Sequence, residues 1–270
     1  MKIGFIGDIV GKPGRSGIKR HLKRLKQEYA LDLVIANYEN ASHGFGLTEK
    51  NCKELLNYGI DVMSGGNHSF DKKEIVGMFD RYPLIRPLNY PKATPGKGIY
   101  TTNVNDTKVA IINLMGHYTM PLVDNPFTMI VDSVALLKEQ GYKHIIIDMH
   151  AEASAEKNAL LHIVGEDVSA ILGTHTHVAT DDLQLYNGCC YVTDVGLSGC
   201  IDGIIGMKKE IPIARFLQGI SNHHDIDDRC KQIFQMIVFE LDDEGIAIDA
   251  KRIKSIDNQA YIITDAFRVL

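Results

Sequence analysis

Residues 168–180 read VSAILGTHTHVAT, an apolar run that ends at Thr174 and is followed by two histidines one residue apart, His175 and His177. The run reads as a buried strand. If the chain stays extended beyond it, alternate side chains project to one side. His175 and His177 then stand side by side, whereas on a helix they would point well apart. Neutral imidazole is a good ligand for borderline divalent cations, so the question becomes what else in the chain arrives at the end of a strand.

Four other apolar runs end the same way. KIGFIG (2–7) leads to Asp8, and LDLVIANY (31–38) to Glu39 and Asn40. IDVMSGG (60–66) leads to Asn67 and His68, and KHIIIDM (143–149) to His150. In open α/β sheets the ligand crevice lies beyond the carboxyl ends of the strands, so polar groups emerging there can meet outside the core. Singly, each is weak. A lone buried histidine is more often a satisfied core residue, the glycines of GNH can simply make a turn, and an Asp after a first strand is often a helix cap. Taken together, three histidines, two carboxylates and two amides exceed what one tetrahedral ion needs. They suffice for two ions that share a carboxylate, with water completing the shells. Such two-metal sites clamp the attacking and leaving oxygens of an in-line displacement.

The segments between these strands have helical periodicity. They are 15–30 (Ile18, Leu22 and Leu25 in phase), 48–59, 71–80, 126–140 and 154–164. Asp71 and Glu74 resemble a capping box for the third of them. KVAIINLM (108–115) is a further strand, and the Pro/Gly-punctuated stretch 88–99 is a loop. After residue 180 the pattern changes. Asn187-Gly188 inside LQLYNGCCYVT marks a hairpin, and 232–253 reads as a second hairpin turning near 242–245. A βαβ start with an antiparallel end predicts one α/β domain over 1–270, two packed mixed β-sheets flanked by helices.

Composition narrows the function. Hydrophobic residues at 45% allow a sizeable core, and a net charge of −5 with no long basic block argues against bulk nucleic-acid binding. The opening apolar run is too short for a signal-peptide core, and no run is long enough to span a bilayer. The five cysteines are an odd number without a CxxC pair; the adjacent Cys189 and Cys190 would make a strained disulfide and read as buried thiols, and the set fits a reducing cytoplasm.

GD (7–8), GNH (66–68), His150 and GTHTH (173–177) together resemble the calcineurin-like metallophosphoesterase superfamily. More narrowly, GDIVGKPGR, ENASHGFGLT, GNHSFDKKEI, RPLNYP, HAEASAEK, GTHTHV and TDVGLSG resemble the bacterial YmdB-like phosphoesterases. The resemblance implies an αββα sandwich with two metal pockets: Asp8, Asn40 and His177 at one ion, Asn67, His150 and His175 at the other, and Glu39 bridging. The wider superfamily has a His where this chain has Val10, and an Asp bridge where it has Glu39; the narrower group shares both departures. His117 stands where that group has Arg. The resemblance implies iron or manganese, with zinc compatible with the same donors. It also implies hydrolysis of 2′,3′-cyclic nucleotides such as 2′,3′-cAMP, by attack of a hydroxide held between the ions. His68 is then the general acid, oriented by Asp71 or Asp8. The expected partner is a small phosphodiester or nucleotide substrate, with no membrane and with a homo-oligomer allowed.

Two other readings use the same residues. One is a phosphomonoesterase such as a nucleotidase; the other is a regulatory nucleotide-binding module with little turnover. GDIVGKPGRSG (7–17) lacks the Lys-Ser/Thr ending of a P-loop and reads as a strand-to-helix turn, with Arg15 left free to face a substrate. His223 and His224, near Asp225, Asp227 and Asp228, read as a solvated loop. His21, His144 and His162 take structural readings, and Ser42, Ser154 and Ser198 have no nucleophile signature.

Overall fold

Alternation along the first strand explains its place. β1 (Lys2–Asp8) turns Ile3 and Phe5 to one face and Ile6 to the other, and all three are fully buried, so β1 has core on both sides. The structure is a computed structural model and describes residues 1–220 and 225–269. From β1 the chain runs through α1 (Gly11–Glu28), β2 (Leu33–Asn37), α2 (Glu49–Asn57) and β3 (Val62–Ser64). It continues with β4 (Ile99–Val104), β5 (Thr107–Met115), α3 (Pro126–Glu139), β6 (His144–His150), α4 (Ser154–Val164) and β7 (Ala170–Thr174). β8 (Gln184–Tyr186), β9 (Cys189–Val192), β10 (Gly199–Cys200) and α5 (Glu210–Gln218) follow. β11 (Gln232–Leu241), β12 (Ala247–Ile256), β13 (Ile262–Asp265) and β14 (Phe267–Val269) end it.

Among the described residues these strands make two mixed sheets. One has the order β13-β12-β11-β1-β2-β3, with β10 also on β11; the other is β14-β8-β9-β7-β6-β5-β4. The sheets face each other across Phe5, Ile35, Ile111, Ile146, Leu172 and Phe239. Ile18, Leu22 and Leu25 of α1 cover the outer face of the first sheet through Phe234 and Met236. α3 and α4 cover the other through Ile130, Val134, Leu160 and Leu161 on Ile112 and Ile147. The result is the expected α/β sandwich of two packed sheets between helices.

Both hairpins form where the pattern placed them. Asn187 and Gly188 have φ of 45° and 87° between β8 and β9, the positive pair that an Asn-Gly hairpin turn requires. β11 and β12 pair antiparallel from Ile233↔Ile256 to Leu241↔Ala247.

Two local expectations are corrected, and a disulfide is added. Instead of a helix over 71–80 there is a short 3₁₀ turn, Lys73–Gly77, with no side-chain cap. The two capping groups are engaged elsewhere: the Asp71 carboxylate is on His68, and that of Glu74 accepts from the Glu49 backbone N–H. The first helix starts earlier than residue 15, at Gly11, with Pro13 in its first turn, where a missing N–H costs nothing. Cys189 and Cys190 are buried free thiols, as expected, and so is Cys52, while Cys200 and Cys230 are joined as a disulfide that the sequence reading did not foresee. Pairing of β10 with the start of β11 brings their Cα atoms to 5.7 Å across 30 residues of chain, a closure no local spacing reveals. No helix among the described residues is long and apolar enough to cross a membrane.

Candidate metal centre

The first side chain of the site is aimed by a bulge. Ile6 pairs with Ala36 and Asp8 with Asn37, so Gly7 is an extra residue opposite β2. A bulge re-aims the residue that follows it, and here Asp8 turns into the cleft between the sheets. Gly7 has to be glycine, because a Cβ there would collide with the carbonyl oxygen of Gly196.

All seven expected ligands converge, in two linked groups. Nε2 of His150 lies 3.2 Å from Oε1 of Glu39, 2.9 Å from Oδ1 of Asn67 and 3.2 Å from Nδ1 of His175. Nε2 of His177 lies 3.2 Å from Oδ1 of Asn40 and 3.8 Å from Oδ1 of Asp8. Asp8 joins the groups by accepting the His175 backbone N–H at 3.0 Å. Glu39, His150 and His175 each present a ligand atom within 4.8 Å of the others.

Whether this set suits cations depends on where its protons are, and the outward hydrogen bonds decide that. The ring N–H that His177 turns outward, at Nδ1, donates to the carbonyl of Ile205 at 2.7 Å, because a carbonyl can only accept. Nε2 of His175 lies 2.9 Å from the Glu152 carboxylate and donates to it. Nδ1 of His150 lies 2.9 Å from Oγ1 of Thr174, whose own proton goes to Asp148 at 2.6 Å; the imidazole is therefore the donor. Each neutral ring thus turns a lone pair inward. Asn40 gives its amide N–H to Gly44, which leaves its oxygen facing His177. Oδ1 of Asp8 is buried without a hydrogen-bond partner. A buried convergence of acceptors costs free energy unless a cation meets them. A Cβ on Gly66 would run into Glu39 Oε2 and His150 Nε2, so this glycine leaves the donors their room.

The charges of the cluster are tightly linked. Burial depresses the His150 imidazole, but the Glu39 carboxylate, followed by Asp8 and Asp148, outweighs it and holds it up at about 9. Burial raises Glu39, yet His150 dominates and brings it down to about 2. His175 falls to about 3, through burial and then the neighbouring His150 charge. Burial pushes Asp8 up. The carboxylates thus favour a positive charge here: without a cation His150 carries it as a proton, and a bound cation would take that proton's place and free the inward lone pair of Nε2.

The HTH segment corrects the extended geometry expected of it. φ is 97° at His175 and 66° at His177, so the strand ends at Thr174 and the chain turns through left-handed conformations, uncommon outside glycine. As a result the two imidazoles part: His175 joins His150, and His177 joins Asn40. Asp194 holds the turn by accepting from the N–H and Oγ1 of Thr176 at 3.1 and 2.8 Å. Nζ of Lys157 lies 2.8 Å from Asp194, and both side chains are essentially fully buried. Breaking such a pair by removing one partner costs about 3–5 kcal/mol. Asp194→Asn is therefore expected to lower unfolding stability by that order in denaturant titration. An unchanged midpoint would show that the pair is not what holds the turn.

His68 lines the cavity beside the cluster together with Glu39, Asn40, His175 and His177. Its Nδ1 lies 2.8 Å from Asp71 and its backbone N–H donates to Glu39 at 3.0 Å. Asp71, not Asp8, is therefore the carboxylate that orients it. Arg15 does not face the site, because its guanidinium is held by Glu54 at 2.8 Å and the Ala41 carbonyl. His117 bonds through its backbone N–H to Glu156 and through its ring to the Asp124 carbonyl. His21 pairs with Tyr261 and His144 with the Asp242 carbonyl, both away from the cluster. His223 and His224 lie outside the described residues.

Sequence reasoning missed three supporting carboxylates. Asp148 accepts from Asn37, Ser64 and Thr174, so it ties β2 and β3 of one sheet to β6 and β7 of the other. Burial pushes it up to about 6, against the pull of the His150 charge and of its three hydrogen-bond donors. A lone carboxylate in the apolar run KHIIIDM was a legible signal. Asp194 and Glu152, in TDVGLSG and HAEASAEK, had no such local mark.

Comparison with known proteins places this geometry. The sequence profile of the YmdB-like protein family matches residues 5–255. The 2′,3′-cyclic-nucleotide 2′-phosphodiesterase of Bacillus subtilis (strain 168) is 42% identical over 246 residues, covering 90% of this chain and 92% of its own. A hypothetical protein from Thermus thermophilus superposes with a TM-score of 0.86 at 35% identity, over 98% of this chain and 100% of the other. A crystal structure of a novel phosphatase from Mycoplasma pneumoniae gives a TM-score of 0.89 at 34% identity, over 95% of this chain and 93% of the other.

Proposed function

The chain belongs to the YmdB-like protein family, and on that premise we propose that it is a metal-dependent phosphodiesterase acting on small phosphodiesters, 2′,3′-cyclic nucleotides such as 2′,3′-cAMP among them. The observation that carries this is the set of three imidazoles whose outer N–H groups are all engaged outward, so that their lone pairs meet Asp8, Glu39, Asn40 and Asn67. Asp8, Asn40 and His177 would hold one ion, and Asn67, His150 and His175 the other, with Glu39 between them. The mixed nitrogen and oxygen donors suit iron or manganese and also accommodate zinc. Such ions, when bound, neutralise phosphoryl oxygens and bring the pKa of water toward neutrality.

The chain's own chemistry centres on His68. With Nδ1 committed to Asp71, its Nε2 is the nitrogen left to give a proton to the leaving oxygen as the P–O bond breaks. Asp71 fixes the ring, and its carboxylate faces the imidazolium, the form that acts as the acid. Edge contact with Phe45, at 4.9 Å between ring centroids, limits the ring's rotation.

A second reading, phosphomonoesterase activity on the same residues, draws on the Mycoplasma pneumoniae structure described as a phosphatase. Turnover of 2′,3′-cAMP beside its monoester product, after metal analysis of the purified protein, separates the two. We expect about two metal equivalents and faster cleavage of the diester. A preference for the monoester would instead make the chain a phosphatase, and tight binding without turnover of either would make it a regulatory module.

A further inference from the structure

The cavity beside the cluster has a volume of about 210 Å³. Away from the polar side formed by the proposed metal and acid residues, its lining is largely apolar and includes Phe45, Ile204, Ile205, Met207 and Phe216. Its inner part is core, since Met207 is buried against Val10 and Leu197 and Phe45 packs on them, but its outer part is not. Phe216 is 81% exposed and Ile205 50%, and within α5 only Pro212 is buried. Large apolar groups held open to water next to polar catalytic groups mark a ligand surface. Its two ends are tied to the chemistry. The Phe45 ring contacts His68, and the Ile205 carbonyl that fixes His177 belongs to the loop that forms the wall.

The position of the acid orients the substrate. A group that protonates the leaving oxygen stands on the leaving-group side of phosphorus. In a cyclic nucleotide that oxygen belongs to the ribose, and the ribose carries the base. The nucleoside therefore extends from phosphorus on the His68 side, where Phe45 begins the apolar wall. We propose that the wall running from Phe45 to Phe216 is a nucleobase subsite, with the Phe216 ring as the stacking platform at its mouth. This rests on the phosphodiesterase reading of the adjoining residues. Stacking on an aromatic ring tolerates any base, so the subsite demands a base without choosing strongly among them.

The test compares a ligand that has a base with one that lacks it. Binding of 3′-AMP and of inorganic phosphate to the metal-loaded protein is measured by calorimetry for the wild type, Phe216→Ala and Phe216→Tyr. Phe216→Ala should weaken 3′-AMP about tenfold, the size of one lost stacking contact, and leave phosphate unchanged, while Phe216→Tyr restores 3′-AMP. Equal weakening of both ligands, no change in 3′-AMP, or no 3′-AMP binding by the wild type overturns the subsite. Because the readout is binding, the two readings fail separately. Phe216-dependent 3′-AMP binding without cyclic-diester hydrolysis removes the assigned reaction and keeps the subsite. Hydrolysis with Phe216-independent binding does the reverse.

Discussion

His68→Ala should turn over 2′,3′-cAMP about 10²–10⁴-fold more slowly, the usual contribution of a positioned acid, while its metal content stays at the wild-type level. The separation follows from the geometry. The side chain of His68 shares the cavity with the cluster but bonds to Asp71, and only its backbone N–H touches Glu39. That backbone contact survives the substitution. The loss should shrink with a substrate whose leaving group needs no proton, such as a p-nitrophenyl diester, because an acid matters only when the departing oxygen is basic. Asp71→Asn should fall between wild type and His68→Ala, since it keeps a hydrogen bond to the ring but loses the charge that faces the imidazolium. If His68→Ala hydrolyses the cyclic nucleotide at the wild-type rate, the proton comes from elsewhere and His68 has no part in the chemistry.

Gly66→Ala should abolish metal binding and activity together. A single methyl group there would overlap both Glu39 Oε2 and His150 Nε2, on a backbone without the positive φ that would otherwise explain a glycine. Overpacking of this kind costs about 1–3 kcal/mol in stability, which a folded domain of this size tolerates, so the variant should be soluble and folded yet empty by elemental analysis. His175→Ala should also lose metal, by removing a donor and not by crowding. Gly77→Ala serves as the control, because a Cβ there meets nothing within 4 Å. Wild-type metal content and turnover in Gly66→Ala would mean that the proposed cluster is not where the ions bind.

The legibility of the site differs from residue to residue. Asp8, Glu39, Asn67, His150 and His175 were visible because each follows an apolar run, and a strand end is a local signal. The family resemblance already divided His175 and His177 between two pockets, but the turn that parts them was not visible, since it depends on two left-handed residues held by Asp194, well beyond them in the chain. Asp71 was legible both as a cap and as one of two candidate partners of His68, because the sequence spacing of a capping box is the same whether or not a neighbouring imidazole takes the carboxylate. The helix α5 and its exposed Phe216 escaped entirely, because a face that buries one residue leaves no periodic trace.

What the order of residues determined alone was the class of fold and the kinds of atoms at the strand ends, since apolar periodicity and chain punctuation are properties of neighbours. Tertiary structure decided which nitrogen of each histidine keeps its proton, which carboxylate orients His68, and which wall faces the cavity. Those depend on partners such as Thr174, Glu152 and the Ile205 carbonyl, brought within hydrogen-bond reach only when both sheets pack. A hydrogen bond reads distance in space, and distance in space between far-separated residues is not written in their spacing along the chain.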